Sequence, residues 1–202
     1  MKGLIKKDLI MIKNYCKSYI IFLLAFLFIP LLSKGSSFIS AYLFLLPSMI
    51  VITIITYDEK NNWEIYFRQL PLKVKDLVIV KYIIGTLFVV IVLFLYSAGM
   101  FVRYGVSFID TFVTMSVVSC VSFAITMPFY FRFGSHVGRI AYYISLAIVI
   151  FIATQAQFNI SSTTNIIIPN IDKTIPLIGL LLFIGSYFAS VFLYKIRLEK
   201  LK

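Results

Sequence analysis

Six stretches without a charged side chain divide this sequence, over residues 18–33, 35–57, 82–102, 111–131, 140–171 and 174–194. A helix that crosses a bilayer takes roughly 20 apolar residues. Each stretch is long enough, the first with help from Lys17 and Lys34, whose long stems reach the two interfaces. The pattern predicts an all-α polytopic membrane protein in a single transmembrane domain, 1–202. An amphipathic N-terminal interfacial helix over 1–17 precedes six transmembrane helices, at 18–33, 38–57, 78–102, 110–131, 140–157 and 175–194.

The loops sort the basic residues. Of 19 Lys and Arg, only Lys34, Arg103 and Lys173 fall on the side opposite the termini. The positive-inside rule then puts both termini in the cytoplasm, with the loops joining helices 2 to 3 and 4 to 5. The net charge of +11 sits almost wholly on that side. It points to anionic membrane lipids as partners and not to nucleic acid, since no base-stacking module or basic soluble domain accompanies it.

The same residues exclude several functions. The span interiors hold no Asp, Glu, Lys, Arg or His. Proton relays, ion-coupled transporters and intramembrane hydrolases retain such groups despite a cost of about 2.5–3.5 kcal/mol each on insertion scales. No G-x-x-x-x-G-K-[ST] phosphate loop is present. Anything moved uphill must draw its energy from another chain. Cys16 and Cys120 fall at different depths with no metal-ligand spacing, and read as free thiols packed as small hydrophobes.

Three segments carry more information. In the first, Lys2, Lys6, Lys13 and Lys17 share one face of a helix at about 100° per residue, suited to anchoring on the membrane surface. Asp8 projects on its apolar side, either to pair with a basic residue of another segment or to reach into the headgroup layer. In the second, YDEKNNWEIYFRQLPLK, a short helix over 59–70 is expected. Asn61 or Asn62 can cap it, Glu64 and Arg68 pair at i and i+4, and Pro71 stops it. Trp63, Tyr66, Phe67 and Leu70 give it an aromatic face that wants cover from lipid or from a docked protein. In the third, Thr111, Thr114, Ser119, Ser122 and Thr126 project within one arc of helix 4, to pack helices or to line a pathway.

These residues carry a resemblance. Asp58 and Glu59, then Leu70-Pro71, a basic residue at Lys73 or Lys75, and Lys81 opening helix 3 look like the signature of ABC-2 type transporter permeases. The run Pro128 to Arg139, PFYFRFGSHVGR, is similar to the family's pattern before helix 5. Small size and brief external loops look closest to the permeases of bacterial exporters for phenol-soluble modulins and related antimicrobial peptides. The resemblance implies a permease subunit that is not itself an enzyme, in a bacterial plasma membrane. ATP and Mg would belong to a cytosolic ABC ATPase partner, with no cofactor or metal on this chain. The loop helix would be the coupling helix that contacts this ATPase, through Glu59, Trp63, Glu64, Phe67, Arg68 and Leu70, with Pro71 as its stop and Lys81 anchoring helix 3 at the interface. Arg132, His136 and Arg139 would add a smaller contact. A second permease copy or a homologous permease would complete a pathway for an amphipathic peptide or lipid-like substrate. Unlike larger members, the chain has room between helices 5 and 6 only for a short turn and hairpin.

Two other functions fit six spans of this size. One is the substrate-capture subunit of an ATP-driven importer, although helix 1 has only one alanine where such subunits dock through small residues. The other is a sensor or immunity protein that sequesters a peptide in the membrane without an ATPase.

Overall fold

Backbone polar groups in lipid have no water to bond, so a chain this apolar must satisfy them within helices. The computed structural model describes residues 2–32, 37–70, 73–105, 107–162 and 171–200. Among them the regular elements are all helical: α1 (Lys2–Tyr15), α2 (Lys17–Leu32), α3 (Ser37–Lys60), α4 (Trp63–Gln69), α5 (Val74–Tyr104), α6 (Phe108–Phe133), α7 (Ser135–Ser162) and α8 (Ile171–Lys200).

Helix α1 buries Leu4, Asp8 and Ile12, a stripe at i, i+4 and i+8 that continues to Cys16 just past its end, and leaves Lys6 and Lys13 exposed. The chain bends by 74° between α1 and α2. The hydrogen bonds Cys16 N–H to Ile12 O (2.9 Å) and Ile20 N–H to Cys16 O (3.1 Å) carry the backbone through the corner.

Helix α3 is buried nearly all round in its middle, at Leu43, Leu45, Leu46, Ile50 and Val51, and packs on α2, α5, α6 and α7. Pro47 lies inside it. The Ser48 hydroxyl beside it donates to Leu45 O at 2.5 Å, a serine bonding back onto its own helix.

Helix α6 packs most extensively on α8. On α5, the Tyr82 hydroxyl lies 2.8 Å from Ser186 Oγ and 2.9 Å from Ser190 Oγ of α8, tying those two helices across the core. Phe123 of α6 sits where Gly85 of α5 leaves room, since a β-carbon at Gly85 would fall 2.5 Å from its ring.

Among the described residues, Val74–Tyr104, Thr111–Phe133 and Pro176–Glu199 are long and apolar enough to cross a membrane. The bent pair Gly3–Tyr15 and Lys17–Phe28 makes a fourth if counted as one broken span. Helices α3 and α7 cover the stretches expected at 38–57 and 140–157. The turn expected between helices 5 and 6 falls largely on 163–170, outside the described residues.

Candidate functional site

Charged side chains converge at one end of the bundle, where α1, the last turn of α3, α4 and the start of α5 meet. Lys81 of α5 places its Nζ 2.8 Å from Asp8 Oδ2 and 2.6 Å from Asp58 Oδ2. Lys7 Nζ closes the group at 2.6 Å from Asp58 Oδ1 and 3.2 Å from Asp8 Oδ1, the latter an ion pair without hydrogen-bond alignment. Two carboxylates and two ammonium groups leave no net charge. That balance matters because Asp8, Asp58 and Lys81 are all buried, and an unpaired buried charge costs several kcal/mol, of order 3–5.

The sequence offers two fates for Asp8, and the structure adopts the pairing with another segment. It also gives Lys81 partners the sequence did not name: its side chain is 3% exposed and buried between the carboxylates of two helices. Lys7 is missed by sequence reasoning, although Asp8 on an apolar stripe signals that some cation must come to meet it.

Glu59 turns the other way around α3. Its Oε1 lies 2.9 Å from Arg197 Nη1 of α8, and its Oε2 accepts from the Ser135 backbone N–H, which opens α7, at 2.8 Å. A carboxylate suits the positive end of a helix. Gly134, with φ of +85°, forms the one-residue corner between α6 and α7, and a β-carbon there would meet Glu59 Oε1 at 2.9 Å. Adjacent acids of α3 thus tie it to four other helices.

The loop helix is shorter than expected. Residues 59 and 60 belong to α3, and α4 starts at Trp63 after Asn62 takes a left-handed conformation (φ 52°, ψ 35°). Asn62 stands at the cap position without a side-chain cap hydrogen bond. Its contribution is conformational, since asparagine tolerates this region better than most residues. The aromatic face divides. Phe67 is 3% exposed and turned into the core. Trp63 is half-buried, with Lys7 Nζ 4.1 Å from its ring centroid and no hydrogen-bond partner for its buried Nε1 among the described residues. Ile65 and Tyr66, both 59% exposed, face outward with Leu70. Glu59 and Phe67 are therefore engaged within the chain, while Ile65 and Tyr66 are exposed on α4 together with Gln69. Pro71 lies outside the described residues, as do the side chains of Lys2, Glu64, Arg68 and Thr114.

The hydroxyls of α6 are spread over different neighbours. Ser122 and Thr126 are fully buried, Ser122 Oγ lying 3.4 Å from Ser48 Oγ of α3 and Thr126 donating to Ser122 O at 2.8 Å. Ser119 lies beside Cys120 on an apolar recess of about 180 Å³ between α5, α6 and α8. Thr111 donates to Ser107 O at 2.9 Å in the first turns. Lys6, Lys13 and Lys17 are exposed, as are Arg132, His136 and Arg139. Among the described residues no group of three or more His, Cys, Asp or Glu is placed to hold a metal ion.

The family model described as ABC-2 family transporter protein matches residues 3–195. No curated protein and no solved structure matches the chain.

Proposed function

Since the chain belongs to the ABC-2 family of transporter proteins, we propose that it is the permease of an ATP-driven exporter and that α4 couples it to the motor. Family membership makes it a membrane permease subunit and implies association with a cytosolic ABC ATPase. In our reading the direction is outward, the substrate is an amphipathic peptide or lipid-like molecule, and the membrane is a bacterial plasma membrane. Both termini and α4 are cytoplasmic. Two permeases, identical or homologous, assemble with two ATPase subunits that bind ATP and Mg.

The observation that supports coupling through α4 is its two-sided construction. Phe67 is buried against the bundle, while Ile65, Tyr66 and Leu70 are exposed on the outer side. Its neighbour α3 is fixed to α1 and α5 through Asp58, and to α7 and α8 through Glu59. A push on α4 would reach these helices through rigid packing and not through a flexible loop.

The test is co-expression with a cognate ABC ATPase, followed by native mass and ATPase measurements on the detergent-extracted complex. Ile65→Ala with Tyr66→Ala should abolish retention or stimulation of the ATPase while the permease's melting temperature stays within the error of the parent. Full retention and stimulation in that variant would overturn α4 as the coupling element. A chain that never retains an ATPase would instead favour the peptide-sequestering reading.

A further inference from the structure

A recess of about 380 Å³ opens on a different face of α3, between the α1–α2 corner and α7. Its volume lies within the range of small-molecule sites, about 300–1,000 Å³. The α3 residues that line it, from Met49 and Ile52 to Tyr57 and Lys60, recur at helical spacing and so form one stripe. Tyr15 and Tyr19 form a second wall and Arg139 and Tyr143 of α7 a third. The Tyr15 and Tyr57 rings stack at 4.3 Å between centroids.

The lining is polarised along the helix axis. Lys60 and Arg139 stand at the end of the bundle, the tyrosines follow, and Met49 lies about 16 Å deeper than Lys60 at 1.5 Å per residue. Among the described residues, the lining holds two cations and no carboxylate. Among the described residues neither Lys60 nor Arg139 has a carboxylate within ion-pair distance. The nearest candidate by sequence, Glu59, is occupied by Arg197 and Ser135. The threonines of the stripe, Thr53 and Thr56, donate their hydroxyls to Met49 O and Ile52 O, and Arg139 lies close to the Tyr130 hydroxyl of α6, so the ammonium, the remaining guanidinium N–H groups and the phenols are left as donors.

We propose that this recess binds one anionic phospholipid, its phosphate between Lys60 and Arg139, its glycerol region against the tyrosines and the start of an acyl chain along Ile52 and Met49. A free phosphate would use only the cationic end and leave the apolar depth uncovered. A zwitterionic headgroup would bring a cation of its own toward Lys60 and Arg139. The site depends on neither α4 nor the ATPase, and it gives Arg139 a use other than the ATPase contact that the resemblance implies.

Native mass spectrometry of the delipidated chain, titrated with phosphatidylglycerol or phosphatidylcholine and then challenged with millimolar inorganic phosphate, tests it without an ATPase. One phosphatidylglycerol should be retained with about thirtyfold preference over phosphatidylcholine, on the scale expected for two basic contacts, and phosphate should not displace it. Lys60→Gln with Arg139→Gln should erase the preference, Lys60→Arg with Arg139→Lys should keep it, and Arg103→Gln with Lys195→Gln, exposed away from the recess, should leave it intact. Equal retention of the two lipids, displacement by phosphate, or loss of preference in the Arg103/Lys195 variant to the same extent would each overturn the assignment.

Discussion

Lys81 and Asp8 stand 73 positions apart in sequence and 2.8 Å apart in space, a buried ion pair that fixes the surface helix α1 to the first turns of α5. Removing only the cation should be worse than removing the whole group. Lys81→Met leaves Asp8 and Asp58 facing one another with Lys7 alone to compensate, at a cost of about 3–5 kcal/mol. Adding Asp8→Asn and Asp58→Asn should recover most of this loss, because Lys7 is partly exposed and can turn to water. Melting temperatures in detergent decide the point. A triple variant no more stable than Lys81→Met alone would contradict this account.

The two sides of α4 should separate in mutagenesis. Phe67→Ala opens a cavity in a packed core and should destabilise the chain by about 3–5 kcal/mol, whereas Tyr66→Ala on the outer side should change stability by less than about 0.5 kcal/mol. Thermal unfolding monitored by size-exclusion chromatography would show the difference. Similar losses in both would mean that Tyr66 is covered within the chain.

Glycine is needed at Gly138 for close approach. A β-carbon there would run into the Tyr130 ring, while at Gly3 it would meet nothing within 4 Å. Gly138→Ala should therefore cost about 1–3 kcal/mol through overpacking of α6 against α7, and Gly3→Ala should be neutral or slightly stabilising as a better helix former. In a Tyr130→Ala background, itself destabilised by loss of a buried ring, Gly138→Ala should cost nothing further, which would identify the ring as the cause.

Burial raises the Cys16 thiol to about 11 from an ordinary 9.0. With the folded value above the unfolded one, the folded chain holds the proton more tightly. Stability is unaffected by this group below pH 9 and falls as pH rises toward 11. A membrane-impermeant methanethiosulfonate reagent should leave Cys16 unmodified at neutral pH and react only as the site opens in alkali. Rapid labelling at pH 7 would show that the α1–α2 corner opens in the native state.

Much of the architecture was legible because a bilayer imposes a one-dimensional rule. Long uncharged runs must be helical, and charges must fall at their ends, so α2, α3, α5, α6, α7 and α8 follow from the spacing of charged residues. Their ends did not. Helix α3 runs past Tyr57 to Lys60 because nothing in DEK stops a helix; the turn comes from Asn62 in a left-handed conformation. Asp8 showed that a charge lay on an apolar stripe, but not which cation met it.

The sequence by itself determined the helical class, the basic end of the bundle and the short loop helix, all of which depend on the order of apolar, charged and turn-forming residues. Only the tertiary structure decided that Lys81 is buried between Asp8 and Asp58, that Phe67 and Glu59 turn inward while Tyr66 turns out, and that Lys60 and Arg139 flank one recess. Those facts depend on how helices rotate and pack about their axes. Periodicity says which residues share a face, whereas the energy that orients the face comes from partners many residues away.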